Sequence, residues 1–322
     1  MIKATALLSN VKAVESFGYV STESVGENIK KATSGIKDTI IKFIDKIVDF
    51  FKRIFGPIIA GFTELLRQKR MRKQEERLEK LANELKLEGV TSVRINSVLW
   101  KSWTSATSNT DKLVEAQNKI DEALKLVRKH EYHGSDIQKL ASTLRNSNYD
   151  DSAIRTLMYQ ASSVKEPMRQ TADAIVKNCT KVKTLIESNE IINGDDFYVN
   201  LADLIKKFNI VTGKIESMNQ FITPLSKFRI STDTELRSIR RDINEFATAQ
   251  NYLVKIGMNG SAATVYECLS MYSKCVAEVS NTTASFIRKC SNVEHDMQRL
   301  VDYIEKIAAN IDNVNEKDLK GL

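Results

Sequence analysis

His130-Glu131-Tyr132-His133 sets two imidazoles three residues apart on one helical face, with Asp136 close behind. That spacing can share a metal ion, but a zinc centre needs three or four such donors. Neither a third strong ligand nor an HExxH accompanies the pair. Gly134 follows at once and reads as a C-terminal cap, a position where histidine is favoured by the helix dipole. The pair therefore reads as a helix end. Motifs for other chemistry are also missing: there is no phosphate-binding glycine loop, no GxGxxG and no GxSxG nucleophile elbow. Carboxylates are interspersed with Lys and Arg at helical spacing, the pattern of a solvated helix face. The sequence predicts no enzyme, no cofactor, no metal and no small-molecule substrate.

Charge is the stronger signal. Residues 30–80 hold fourteen Lys and Arg against seven Asp and Glu, and so carry the whole net charge of +7. Within them Arg67, Lys69, Arg70, Arg72 and Lys73 form a dense basic run near the middle of an expected helix, followed by Glu75, Glu76 and Glu79. Those acids can pair with the run at i, i+4 and leave an ordinary charged surface. Alternatively the run meets phosphate, on nucleic acid or on anionic lipid. No stacking aromatics interleave with it, so base-specific reading is excluded.

The same stretch carries the clearest amphipathic face. Ile40, Ile44, Ile47, Phe51, Ile54 and Ile58 advance by four and three, flanked by Phe43 and Phe55. One reading buries this face in a helical core. The other lays residues 36–66 on a membrane or a partner, through Ile40, Phe43, Ile44, Ile47, Phe51, Ile54 and Phe55. Acids four before a base (Asp38–Lys42, Asp49–Arg53) suit either. The most apolar stretch, Ile54 to Thr63, is ten residues long, against about 20 for a membrane span.

The elements that position these groups should be helices. Twelve Gly and three Pro in 322 residues are too few for a turn-rich sheet fold. The expected class is all-α: an elongated antiparallel helical bundle or coiled coil with a long C-terminal helix. Residues 1–29 read as a flexible tail or propeptide, 30–88 as a basic helical arm broken at Pro57, 89–110 as a Ser/Thr-rich linker, and 111–322 as the bundle body. Trp100 and Trp103, in the linker, should pack on that body. Further helices are expected near 111–132, 135–147 and 150–189, with a kink at Pro167. Two more follow, near 196–222 and, after Thr223-Pro224, near 232–256 with a Thr232/Glu235 capping box.

From Val265 to Ile311 apolar residues alternate steps of four and three without error. Such a heptad seam predicts one long helix, packed against this chain or against another copy. The four cysteines have neither CxxC nor framework spacing and read as small buried apolar groups. The N-terminal apolar run is too short for a signal peptide, which makes the sequons at Asn178, Asn259 and Asn281 chance matches.

The first 60 residues resemble internal virion proteins of large tailed bacteriophages. The likeness lies in a short leader, then Glu15-Ser16-Phe17-Gly18-Tyr19-Val20-Ser21-Thr22-Glu23, then a Lys-rich helix ending Asp49-Phe50-Phe51-Lys52-Arg53-Ile54-Phe55-Gly56. The resemblance implies a propeptide cut by the head protease after a small-x-Glu motif. Carried over, the cuts would follow Glu15 or Glu23. It also implies a capsid-interior location after synthesis in the host cytoplasm, without secretion. The function it implies is a non-enzymatic virion structural protein whose basic arm meets DNA, membrane or other head proteins. The heptad seam could join it to those proteins or to itself. A membrane-active helical bundle, pore-forming or lipid-binding through residues 36–66, is the alternative.

Overall fold

A computed structural model describes residues 29–107, 110–146, 150–187, 196–255, 259–309 and 319–320. The candidate cut sites Glu15 and Glu23 lie outside them. The fold is all-α. Helices α1 (Ile29–Phe50), α2 (Gly56–Arg67), α3 (Arg70–Leu87), α4 (Ser97–Thr107), α5 (Thr110–Asn146), α6 (Asp151–Glu187), α7 (Leu201–Glu216), α8 (Ile222–Lys255) and α9 (Asn259–Ala309) account for nearly all of it. Three short strands accompany them: β1 (Ser92–Asn96), β2 (Asp196–Asn200) and β3 (Leu319–Lys320).

The chain divides into two compact units. Among the described residues one comprises 29–48, 130–170 and 234–277, and the other 49–129, 171–233 and 278–320. The expected boundary between an arm (30–88) and a body (111–322) is therefore wrong. Residues 49–88 share a unit, and a core, with segments of the supposed body. Nor is 89–110 a linker. It contains β1 and α4, with Val93, Ile95 and Trp103 fully buried. Its hydroxyls bond into the fold instead: Thr104 and Thr107 donate to the carbonyls of Trp100 and Trp103, at 2.6 and 2.8 Å, and Ser102 to Asp296 of α9 at 2.9 Å. Trp103 packs on Phe208 with ring centroids 4.8 Å apart, as its expected role required.

β1 lies between β2 and β3, antiparallel to both, in register Val93 with Val199 and with Leu319. Two strands end on asparagine, and each asparagine starts a helix. Asn96 accepts from the Val98 amide at 2.8 Å, and Asn200 from those of Ala202 and Asp203. The helix expected from 196 therefore starts at Leu201.

Several expected breaks do not occur. At Pro57 the chain changes ladder rather than stopping. Phe51–Phe55 forms a π-helical turn, the Gly56 amide bonds the Phe51 carbonyl, and α2 resumes with Pro57 in its first turn. There the missing proline donor costs little. Pro224 sits in the first turn of α8 for the same reason, so Thr232 is a buried mid-helix residue and not a cap. α5 runs through Gly134, which overturns the helix-end reading of His130 and His133.

One break was not expected. The helix anticipated over 58–87 divides at Gln68–Lys69, where Lys69 takes a left-handed conformation (φ 47°, ψ 42°). A β-carbon resists that region, so the turn holds local strain. α3 ends in a Schellman motif. Gly89 has φ 83°, the Val90 amide bonds the Leu85 carbonyl at 2.9 Å, and both side chains are buried.

The long C-terminal helix is present as α9. Leu269, Tyr272, Val276, Val279, Thr283, Phe286, Cys290, Val293, Met297, Leu300, Ile304 and Ile307 of its seam are buried within this one chain. Val265 and Ile311 lie outside the residues described at side-chain level. At these positions the seam is covered by the chain itself. The four cysteines are buried thiols in no disulfide, and burial pushes those of Cys179, Cys268 and Cys290 up to about 12.

Candidate polyanion-contact surface

The aromatic face and the basic run meet different fates. Phe43, Ile44, Ile47, Phe51 and Phe55 are each at most 8% exposed, and Ile54 is half-buried. The side chain of Ile40 falls outside those described. Phe51 and Phe55 pack on each other at 5.0 Å and on Phe228 at 5.8 and 6.0 Å. Phe50 closes the cluster at 6.1 Å from Phe55. The proposed membrane or partner face is a core face, and the membrane-active reading loses its surface. Among the described residues no helix is long and apolar enough to cross a membrane. Asp45 pairs with Arg240 at 3.1 Å rather than with a neighbour on its own helix.

The basic run straddles the α2–α3 turn, and its five expected members separate into two groups. Arg70 reaches back to Glu64 at 2.9 Å. Arg72 bonds Glu75 at 3.1 Å and Glu216 of α7 at 2.9 Å. The Glu216 hydrogen bond, with the negative charge of Glu75 beside it, holds the Arg72 guanidinium above its ordinary pKa. Glu75 is buried and Arg72 half-buried, and the Arg72–Glu216 bond ties α3 to α7 inside the unit. These two cations are structural.

Arg67, Lys69 and Lys73 are exposed and make no ion pair with a described residue. The left-handed Lys69 lets the chain leave α2 and enter α3 while Arg67, Lys69 and Lys73 stay in solvent. Further along α3, Arg77 is consumed by Asp302 and Glu305 of α9. Burial opposes its charge, but the hydrogen bonds to those two carboxylates outweigh it and raise its pKa. Of the five cations in the run, Arg67, Lys69 and Lys73 are thus the ones without an ion pair to a described residue.

No family model, curated protein or solved structure matches the chain. The site must be read from its own geometry. A side-chain ring fixes the turn: Gln68 donates to Glu64 at 2.9 Å and accepts from Arg70 at 3.2 Å. Beside it, a groove of about 570 Å³ opens between α2 and the start of α8. Sequence reasoning missed Arg229, which lines that groove from 162 residues away in the chain.

His130 is a core residue. It is fully buried, its Nε2 3.0 Å from the Met168 carbonyl oxygen and its ring 5.8 Å from that of Tyr272. The side chain of His133 lies outside those described, and no metal-binding group occurs among the described residues.

Proposed function

We propose that this chain is a non-enzymatic internal virion protein of a large tailed bacteriophage, trimmed near its N-terminus. Its cationic α2–α3 turn contacts packaged DNA through phosphate. The N-terminal resemblance supports the virion assignment. The observation that carries the DNA contact is the set of three exposed cations, Arg67, Lys69 and Lys73, left without carboxylates on a folded turn.

Three lysine or arginine contacts release about three counterions, so affinity should fall with a log–log salt slope of about −2.7. Between 50 and 200 mM salt that is roughly 40-fold. The binding should be indifferent to sequence, because it reads phosphate alone. Intact mass of the protein from purified particles tests the virion reading. Loss of the first 15 or 23 residues is expected. A chain still beginning at Met1, or absence from particles, contradicts it.

A further inference from the structure

The groove between α2 and α8 differs from the turn beside it. Gly56, Ile59 and Ala60 form an apolar wall, Thr63 and Ser226 bring hydroxyls, and Arg67 and Arg229 face the same space. Neither guanidinium has a carboxylate partner among the described residues, whereas Arg70, Arg72 and Arg77 all do. Arg67 and Arg229 are both exposed, and two positive charges on one concavity favour an anion there. The carboxylate in the lining does not neutralise them. Glu64 is already engaged by Arg70 and by Gln68, each at 2.9 Å.

Gly56 shows how closely the groove is built around Arg229. A β-carbon there would lie 3.2 Å from Arg229 Nη1 and 3.2 Å from the Phe51 carbonyl oxygen. Glycine inside a helix costs about 1 kcal/mol relative to alanine. The room it leaves is where the guanidinium lies. The guanidinium fork pairs bidentately with carboxylate or phosphate, and a phosphate monoester has oxygens enough to engage two such forks at once. The volume suits a nucleotide-sized molecule and excludes a duplex.

We infer that this groove binds a phosphate monoester carried on a small, partly apolar body, held between Arg67 and Arg229 against the Gly56–Ala60 wall. The site goes beyond the DNA contact: it uses Arg229, which is not part of the turn, and does not need Lys69 or Lys73.

Calorimetric titration of the full chain with a deoxynucleoside 5′-monophosphate and with inorganic phosphate tests it, alongside flotation with phosphatidic-acid vesicles. Saturable one-to-one binding of the nucleotide, tighter than that of inorganic phosphate, is expected. Arg229→Ala should weaken it about tenfold or more, the usual loss of a charge-assisted hydrogen-bonding partner. Arg229→Lys should recover little, since an ammonium cannot fork. Lys73→Ala should leave it unchanged, with thermal melts confirming that each variant folds. No saturable binding of either soluble phosphate overturns the inference. So does an equal loss on Lys73→Ala, which signals diffuse charge attraction, or binding by vesicles alone, which signals a lipid surface.

Discussion

Residues 43–55 and residues 67–73 look alike in sequence, each a dense surface of one chemical kind waiting for a partner, yet the fold treats them oppositely. The aromatic face finds its partner inside the chain, in Phe228 and its neighbours. The basic turn finds carboxylates for Arg70 and Arg72 and, among the described residues, none for Arg67, Lys69 and Lys73. Amphipathic spacing states that a face must be covered and is silent on what covers it. Charge excess becomes a surface only after the internal pairs have been subtracted, and those pairs are set by tertiary structure.

The contrast can be broken most severely at the aromatic cluster. Phe55→Ala should cost about 3–5 kcal/mol of stability, as a fully buried aromatic does. A chemical-denaturation midpoint measures it; an unchanged midpoint would return Phe55 to the surface and revive a membrane role.

Arg72→Ala comes next, at about 1–3 kcal/mol, because it leaves the buried Glu75 and the partly buried Glu216 without their shared cation. Its DNA salt slope should match that of the unaltered protein. A fall in slope with stability intact would place Arg72 among the contact residues.

The cysteines provide a pH test of the core. The folded pKa values of Cys179, Cys268 and Cys290, about 12, lie above the unfolded value of about 9. The neutral thiol is the form that burial favours, so this stability is fully present below pH 9 and is lost as pH rises towards 12. Denaturation midpoints should fall across that window, and less so in Cys290→Ala than in the unaltered protein.

Lys69→Gly should have the smallest effect on stability, a gain of under about 1 kcal/mol. Relief of left-handed strain is partly offset by the greater freedom of glycine in the unfolded chain. A decrease would mean that the Lys69 side chain contributes to the fold.

Much of this architecture is legible in the sequence, and the losses have physical causes. The helical class, the long C-terminal helix and the buried cysteines follow from composition and from the heptad steps between Leu269 and Ile307. The strands were missed because Val93-Arg94-Ile95 and Phe197-Tyr198-Val199 are too short to show a period against their helical surroundings. Pro57 and Pro224 mimic breaks in the sequence because a proline in a first turn reads the same as one in a helix interior. Thr232 and Glu235 have capping-box spacing in the middle of a helix, where tertiary burial outweighs local preference. The split at Lys69 carried no glycine or proline to announce it. At the candidate site the cations were visible and their allocation was not, since Glu216 and Arg229 reach the turn from distant segments.

The salt dependence of DNA binding by the unaltered chain and by an Arg67→Ala, Lys69→Ala, Lys73→Ala variant tests the central claim most directly. The account predicts a log–log slope that becomes shallower by about 2.7, with stability unchanged to about 0.5 kcal/mol. An identical slope in the two proteins would contradict it.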